Sequence, residues 1–357
     1  MEILKPFRLA VVADILSNYQ FDQPFQYYFA NLCKQNRSWG SKDRKIYKNL
    51  CFSYFRMGYA LNAEPDLQSK ISKAVAISDG SSQFPKADEI FPYRSDVSQL
   101  INFDEWVKGL QFQKPLYLVL RRGTESLVLN FLKQNQIPFE KVSEFSLRLE
   151  ADSKCNHILE NGWAWTMDFA SQKVADCVDV DEDDAIWDAC SGAGGKSIYI
   201  SNKFIKPFQL TCSDKRFTIL ENLKTRFKTL GLKAPQIELC DLLEPFQLKT
   251  KYDKVILDVP CSGSGTWGRS PENILGFQIS KIEYFAKLQL QIAGNALKNL
   301  KVEGKLYYMT CSVFAAENEK NVDLLVKNHG LKLESMQYTV AENNESDTLF
   351  IAVLTKL

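Results

Sequence analysis

Histidine is almost missing from this 357-residue chain, which has only His157 and His329. Each reads as a surface or satisfied core residue rather than as a general base. The nine cysteines (Cys33, Cys51, Cys155, Cys177, Cys190, Cys212, Cys240, Cys261 and Cys311) are odd in number, spread out and without a CxxC pair. That argues against a disulfide framework and against a zinc ribbon, and no metal is expected. Most of them read as small buried apolar residues. No apolar run approaches the roughly 18 uncharged residues that a membrane span needs. The opening stretch MEILKPFRLAVVADILSNYQ lacks a basic leader, an apolar signal core and a small-residue cleavage site. A cytoplasmic location is therefore expected. Neither sign of charge is in excess, with 44 basic residues against 43 acidic ones and a net charge of +1. This balance neither demands nor excludes nucleic acid, because phosphate contacts depend on a local patch. There are no internal repeats and no long low-complexity run.

What is present points to a packed protein. Hydrophobic residues make up 45% of the chain and charged residues 24%, and the length suggests about two to three domains. A monomer is expected. Residues 1 to about 62 read as helical, with Phe25, Phe29, Leu32 and Cys33 at helical spacing. Lys34, Arg37, Lys42, Arg44, Lys45, Lys48 and Arg56 face a single acid, Asp43, among interleaved aromatics. An ordinary solvated basic face and an RNA contact fit this stretch equally well. Residues about 63 to 113 suit a helical pair with loops or an extended connection. From 114 to about 160 the pattern is a small α+β unit: a strand at 116–120, a helix near 126–134 and a strand near 145–149.

Beyond about 161, strands and helices alternate, which implies a parallel sheet covered on both faces. The strand ends fall at Asp188, Asp214, Asp241, Asp258 and Cys311. Ligands of such sheets sit at those carboxyl ends. A helix is expected over 281–300, with Ile282, Phe285, Leu288, Ile292, Ala296 and Leu300 on one face.

The first strand runs into Asp188-Ala189-Cys190-Ser191-Gly192-Ala193-Gly194-Gly195-Lys196. Three glycines allow a tight turn close to a ligand, and a helix starting near Lys196 aims its amides at it. Alone this fits nicotinamide and flavin cofactors as well, but not the GxxxxGK[ST] spacing of a phosphate loop. Asp214 suits the two hydroxyls of a ribose, and Asp241 lies where an adenine amino group would be. A dehydrogenase has no use for cysteines at the next two strand ends.

Those ends read Asp258-Val259-Pro260-Cys261-Ser262-Gly263-Ser264-Gly265-Thr266 and Tyr308-Met309-Thr310-Cys311-Ser312. Neighbouring strands lie about 4.8 Å apart, so the thiols of adjacent strands would share one pocket. Two thiols beside a methyl donor suit cytosine carbon 5, a poor nucleophile. A thiolate that adds to carbon 6 makes carbon 5 reactive, and a base later removes the carbon 5 proton so that the thiol can leave. Asp258 would hold the amino edge of the base or protonate a ring nitrogen. An amino-group methyltransferase would show an Asn/Asp-Pro-Pro-aromatic turn here, and this turn is Asp-Val-Pro-Cys.

The motifs WTMDFASQ at 165–172, DACSGAGGK at 188–196, DVPCSGSGT at 258–266 and TCSVFAAENEKNV at 310–322 resemble the RsmB/Nop/Sun (Fmu) family of RNA cytosine-5 methyltransferases, in order and spacing, over about 160–357. The resemblance implies a class I methyltransferase fold, with a Rossmann-like, parallel-type sheet and S-adenosylmethionine as cofactor. It implies Cys311 as nucleophile and Cys261 as the cysteine that assists product release. DNA cytosine methyltransferases use the Pro-Cys thiol instead, so these roles rest on the resemblance. Cys190, Ser191, Gly192, Ala193, Gly194, Gly195, Lys196, Asp214, Asp241 and Asp258 carry over as cofactor or substrate contacts, with Lys196 near the reaction centre. Upstream, Gly40-Ser41-Lys42-Asp43-Arg44 and the aromatic helix ending at Arg56 are similar to the helical NusB-type domain of bacterial rRNA members. The expected organisation is thus 1–113 helical and NusB-like, RNA-binding; 114–160 a small RRM-like α+β subdomain; and 161–357 the methyltransferase domain. RNA is the implied partner, with rRNA favoured and tRNA the alternative. A catalytically inactive RNA-binding or ribosome-assembly protein and a dinucleotide-dependent oxidoreductase are the competing readings. Trp267 and Arg269 fit RNA contact and loop packing equally, and Asp168 and Gln172 read as capping or orienting residues.

Overall fold

A computed structural model describes residues 4–244, 246, 248, 250–339 and 345–357. The chain divides into two compact units, Met1–Gln113 with Thr266–Ile279, and Lys114–Gly265 with Ser280–Leu357. The first is helical: α1 (Pro6–Asn18), α2 (Phe25–Gln35), α3 (Ser41–Arg56), α4 (Leu67–Ser78), and the short α5 (Ala87–Ile90) and α6 (Phe103–Gly109). Pro6 opens α1, where a missing amide hydrogen costs nothing. The Asp66 side chain caps α4 by accepting the Ser69 amide at 2.8 Å. Val12, Phe25, Phe29, Tyr47, Leu50, Phe55 and Ile71 form its core. The basic stretch therefore has two sides: Tyr47 and Phe55 turn inward, while Lys34, Arg37, Lys42 and Lys45 are exposed.

The second unit begins with a small sheet. Strand β1 (Leu116–Leu120), helix α7 (Glu125–Gln134), strands β2 (Phe139–Lys141) and β3 (Ser146–Leu149), helix α8 (Asn156–Glu160) and strand β4 (Ala164–Thr166) follow in turn. This βαββαβ sequence folds with strand order β2-β3-β1-β4, all antiparallel. Its fourth strand lies beyond residue 160, because Leu118–Leu120 pair with Ala164–Thr166. Leu118, Leu120, Val128, Leu132 and Ile158 fill one face, whereas Val119 and Trp165 pack with Ile198, Leu223 and Phe227 on the other. Both faces are covered.

Next come α9 (Phe169–Asp176), β5 (Ala185–Asp188), α10 (Gly195–Lys203), β6 (Gln209–Asp214), α11 (Phe217–Thr229), β7 (Gln236–Leu239) and β8 (Tyr252–Asp258). The short helix α12 (Asn273–Gly276) belongs to the first unit. The chain closes with α13 (Ser280–Ala296), β9 (Leu300–Thr310), α14 (Glu319–His329), β10 (Leu331–Thr339) and β11 (Leu349–Lys356). The seven-stranded sheet has the order β10-β11-β9-β8-β5-β6-β7. Strands β5 to β9 pair in parallel, while β11 runs antiparallel to β9 and to β10. Along β8, Val255 and Leu257 enter one core and Ile256 the other, as a sheet covered on both faces requires. From β5 the chain goes first to β6 and β7 on one side, then to β8 and β9 on the other. That reversal makes the carboxyl ends of β5 and β8 the place where a crevice opens. Helix α13 stops at Ala296 rather than at residue 300, because Leu300 already pairs in β9. Among the described residues, no helix is long and apolar enough to cross a membrane.

Candidate active site

The crevice at that switch point is a cleft of about 710 Å³. Ala189 to Ala193, Gly195, Asp214, Asp241, Asp258, Cys261 and Cys311 line it, together with Tyr284, Phe285, Leu288 and Ile292 of α13. Of the residues singled out from the sequence, Cys190, Ser191, Gly192, Ala193, Gly195, Asp214, Asp241, Asp258, Cys261 and Cys311 reach its surface. Gly194 and Lys196 do not line it. The two histidines lie elsewhere: His157 stacks on Phe131 at 5.0 Å between centroids, and His329 ends α14.

The glycine turn is shaped by its backbone. Gly194 caps α10 with φ +79°, and a Cβ there would meet Leu223 Cγ at 2.8 Å. Gly192 also has positive φ, and its amide donates to Asp214 Oδ2 at 3.2 Å. Arg226 Nη1 donates to the Ala193 carbonyl at 2.6 Å, fixing the loop from α11. Asp214 takes the Arg216 amide at 2.9 Å and both arms of its guanidinium at 3.0 Å. Burial pushes the Asp214 carboxyl up, and the Arg216 bonds outweigh it, so the group stays below the usual carboxylate range. Asp241 accepts the Leu243 amide at 3.0 Å.

Asp188, at the end of β5, is 1% exposed. Its Oδ2 accepts the Ser197 hydroxyl at 2.6 Å, and its Oδ1 has no hydrogen-bond partner among the described residues. Burial, opposed by Ser197 and helped by Asp258, pushes its pKa up to about 7. Lys196 Nζ donates to Asp258 Oδ2 at 2.5 Å. Burial works against the Lys196 charge, but Asp258 more than offsets it and the amine is pushed up.

Strands β8 and β9 are adjacent, with Asp258 opposite Met309. The Sγ atoms of Cys261 and Cys311 come within 3.2 Å of each other at their ends. The bond to Cys311 and then burial push the Cys261 thiol well above its ordinary range. Burial does the same to Cys190. The turn after Cys261 is locked by two backbone bonds, Gly265 N–H to the Cys311 carbonyl and Thr348 N–H to the Gly265 carbonyl, each 2.9 Å. A buried polar group lies behind the sulfurs. Thr310 donates to Asn318 Oδ1 at 2.6 Å, and Asn318 donates to the Ser312 carbonyl at 2.8 Å. Glu317, Gln289 and Tyr308 complete it. From the sequence Asp188 is a strand end without a role of its own, and Glu317 and Gln289 carry no mark, although Glu317 lies inside the motif at 310–322. Asp168 caps α9 by accepting the Ala170 amide at 2.8 Å, and Gln172 donates to the Met167 carbonyl at 2.9 Å, as their placement suggested. Trp267 is packing: it is 1% exposed and touches the rings of Phe91, Trp106 and Phe277.

Residues 175–354 match the model of the 16S rRNA methyltransferase RsmB/F family. A tRNA (cytosine(72)-C(5))-methyltransferase of Pyrococcus horikoshii is 30% identical over 175 residues, covering 49% of this chain and 44% of that one. The ribosomal RNA small subunit methyltransferase B of Serratia proteamaculans is 26% identical over 259 residues, covering 68% and 60% respectively. The matched part thus spans about half the length of these curated relatives. Among solved structures, PH0851 superposes with a TM-score of 0.76 at 17% identity over 98% of both chains. NSun6 from Pyrococcus horikoshii with SFG gives 0.64 at 18% identity, covering 71% of this chain and 94% of that one. These likenesses show the same fold. With half of its length matched by the family model, the chain belongs to the 16S rRNA methyltransferase RsmB/F family.

Proposed function

We propose that this chain transfers a methyl group from S-adenosylmethionine to carbon 5 of a cytosine in RNA, with Cys311 as covalent nucleophile. The observation that carries this reading is the 3.2 Å approach of the Cys261 and Cys311 sulfurs at the wall of the glycine-turn cleft. The cleft has the volume of a small-molecule site, about 300–1,000 Å³. Its donor set suits the cofactor: carboxylates at Asp214 and Asp241 for hydroxyl and amino groups, glycine-turn amides, and apolar α13 side chains for a flat ring. When bound, S-adenosylmethionine supplies an electrophilic methyl on a sulfonium centre.

The chain's own groups do the rest. The Cys311 thiolate forms a bond to carbon 6, and the ring π electrons move to carbon 5. Asp258, held by Lys196, grips the amino edge of the base as a carboxylate. After methylation a base takes the carbon 5 proton, the electron pair re-forms the C5–C6 double bond, and the sulfur leaves carbon 6 as thiolate. Cys261 beside it assists this release. The cytosine must stand outside any helix to be reached, which costs a few kcal/mol.

Ribosomal RNA is the favoured substrate, on the helical first unit and the family to which the chain belongs. Transfer RNA is the second reading, favoured by the 30% identity to a protein named as a tRNA methyltransferase. Bisulfite mapping of cellular RNA with and without the protein separates them. One rRNA cytosine that loses protection in its absence is the expected result. A lost tRNA position would establish the second reading. An unchanged map, with RNA bound but no label transferred from S-adenosylmethionine, would point to an RNA-binding or ribosome-assembly protein.

A further inference from the structure

Glu317 is fully buried, and its carboxylate is bonded to the residue that follows each cysteine. Oε2 accepts the Ser262 amide at 2.9 Å, and Oε1 accepts the Ser312 hydroxyl at 2.7 Å. Gln289 Nε2 donates to the same Oε2 at 2.9 Å and to the Pro260 carbonyl at 3.0 Å. The turn carrying Cys261 is therefore held from both sides. The Tyr308 hydroxyl donates its one hydrogen to the Glu317 carbonyl at 2.7 Å, and Gln289 Oε1 accepts from Asn321 Nδ2 at 2.9 Å. A network satisfied in this way fixes one geometry.

Three donors meet the two carboxylate oxygens of Glu317, and an amide of the same shape would offer only one oxygen to accept them. Burial pushes the Glu317 carboxyl above its ordinary range, and the three donors pull it only part of the way back. Meanwhile the sulfurs of two chemically alike cysteines lie 3.2 Å apart, and either can donate to the other. The surroundings of the pair are uneven. The Lys196 amine is raised chiefly by Asp258 and also by Cys311, and the Cys261 thiol is raised by its bond to Cys311 and by burial and then by Glu317. A cation favours the thiolate beside it and an anion disfavours it. The other titratable groups around this network are Tyr308 on β9, Tyr338 on β10 and Glu319 on α14.

We propose that Glu317 is the positioning residue of the sulfur pair: its carboxylate ties the two cysteine turns at one spacing and holds the proton of the pair on Cys261, leaving the anion on Cys311. Chemically equal sulfurs thereby become an attacking thiolate and a protonated neighbour. This rests on the reading of Cys311 as nucleophile, and its test contains neither RNA nor cofactor, so that the two can fail separately.

The full-length protein is treated with iodoacetamide over a range of about pH 6 to pH 10, and the alkylation of each cysteine is read by peptide mass spectrometry. In the wild type, Cys311 is expected to react first and Cys261 only at higher pH. Glu317→Gln removes the charge and leaves one acceptor oxygen where there were two. Its Cys261 profile is expected to fall by about one pH unit, and the preference for Cys311 to shrink about tenfold. Ser312→Ala keeps the charge and cuts one tie. It is expected to leave the Cys261 profile in place and to slow capture of the pair by phenylarsine oxide, which needs two adjacent thiols. Should Glu317→Gln not fold, Ser312→Ala decides the positioning claim alone. Superimposable profiles for wild type and folded Glu317→Gln, faster alkylation of Cys261 than of Cys311 in the wild type, or undiminished arsenical capture in Ser312→Ala would each overturn the proposal.

Discussion

At the carboxyl end of β5, the environment of Asp188 turns a side chain into a pH-dependent stability term. An unfolded aspartate ionises near about pH 4, whereas in the folded protein burial pushes Asp188 up to about 7. Between those values the folded state holds more protons than the unfolded one, so stability falls as pH rises and levels off above the folded pKa. An asparagine side chain in the same place would not titrate. Relative to wild type, Asp188→Asn is therefore expected to gain on the order of 2 kcal/mol of stability between about pH 4 and about pH 8. Urea unfolding of the ligand-free protein at both pH values measures it, and a difference independent of pH would refute the assignment. Asp214, Asp241, Asp258, Cys261 and Cys311 were legible because each closes a strand or opens the turn after it, where the alternating pattern says a ligand should be. Glu317 was not, because a glutamate among Asn, Glu and Lys at a helix start looks like an ordinary solvated charge. Only the three-dimensional path of the chain shows that it faces inward.

Between the ends of β8 and β9 the packing is backbone against backbone. A Cβ added to Gly265 would lie 1.8 Å from the Thr348 carbonyl oxygen and 3.1 Å from that of Cys311. Neither neighbour is a flexible side-chain tip, so Gly265→Ala must move the Cys261 turn. Thermal unfolding should show a loss of about 1–3 kcal/mol, accompanied by loss of methyl transfer. A variant with wild-type stability and activity would contradict the described register. The parallel strands β5, β6, β7 and β8 were readable as short apolar runs closed by acids. The start of β9 was not, since Glu303 has positive φ and the pairing register shifts between Tyr252 and Lys254, breaking the pattern. Strands β10 and β11 escaped because an antiparallel strand at the end of a parallel sheet carries no mark of its direction in its composition. In the small sheet, β2 has only three residues, two of them exposed, too short for an alternation to register.

For the whole molecule, the division of the chain carries a consequence for truncation. Thr266–Ile279 belongs to the helical unit although it follows the Cys261 turn. There Glu272 accepts the Phe25 amide at 3.0 Å, Arg56 donates to the Gly268 carbonyl at 3.3 Å, and Trp267 lies among Phe91 and Trp106. Deleting residues 1–113 strips these partners and bares Trp267 and Ile274. Burying one such side chain stabilises by about 1.5–3 kcal/mol. The fragment 114–357 is therefore expected to be insoluble or to melt far below the intact protein, which an expression and thermal-shift comparison would reveal. A fragment with wild-type stability would show that the segment is an independent loop. The mechanism turns on which sulfur bonds to the pyrimidine, and the direct measurement is denaturing electrophoresis of the intact protein incubated with RNA and S-adenosylmethionine. Cys261→Ala should accumulate a denaturant-resistant protein–RNA adduct, and Cys311→Ala should form none. An adduct in Cys311→Ala and its absence in Cys261→Ala would reverse the roles and contradict the mechanism.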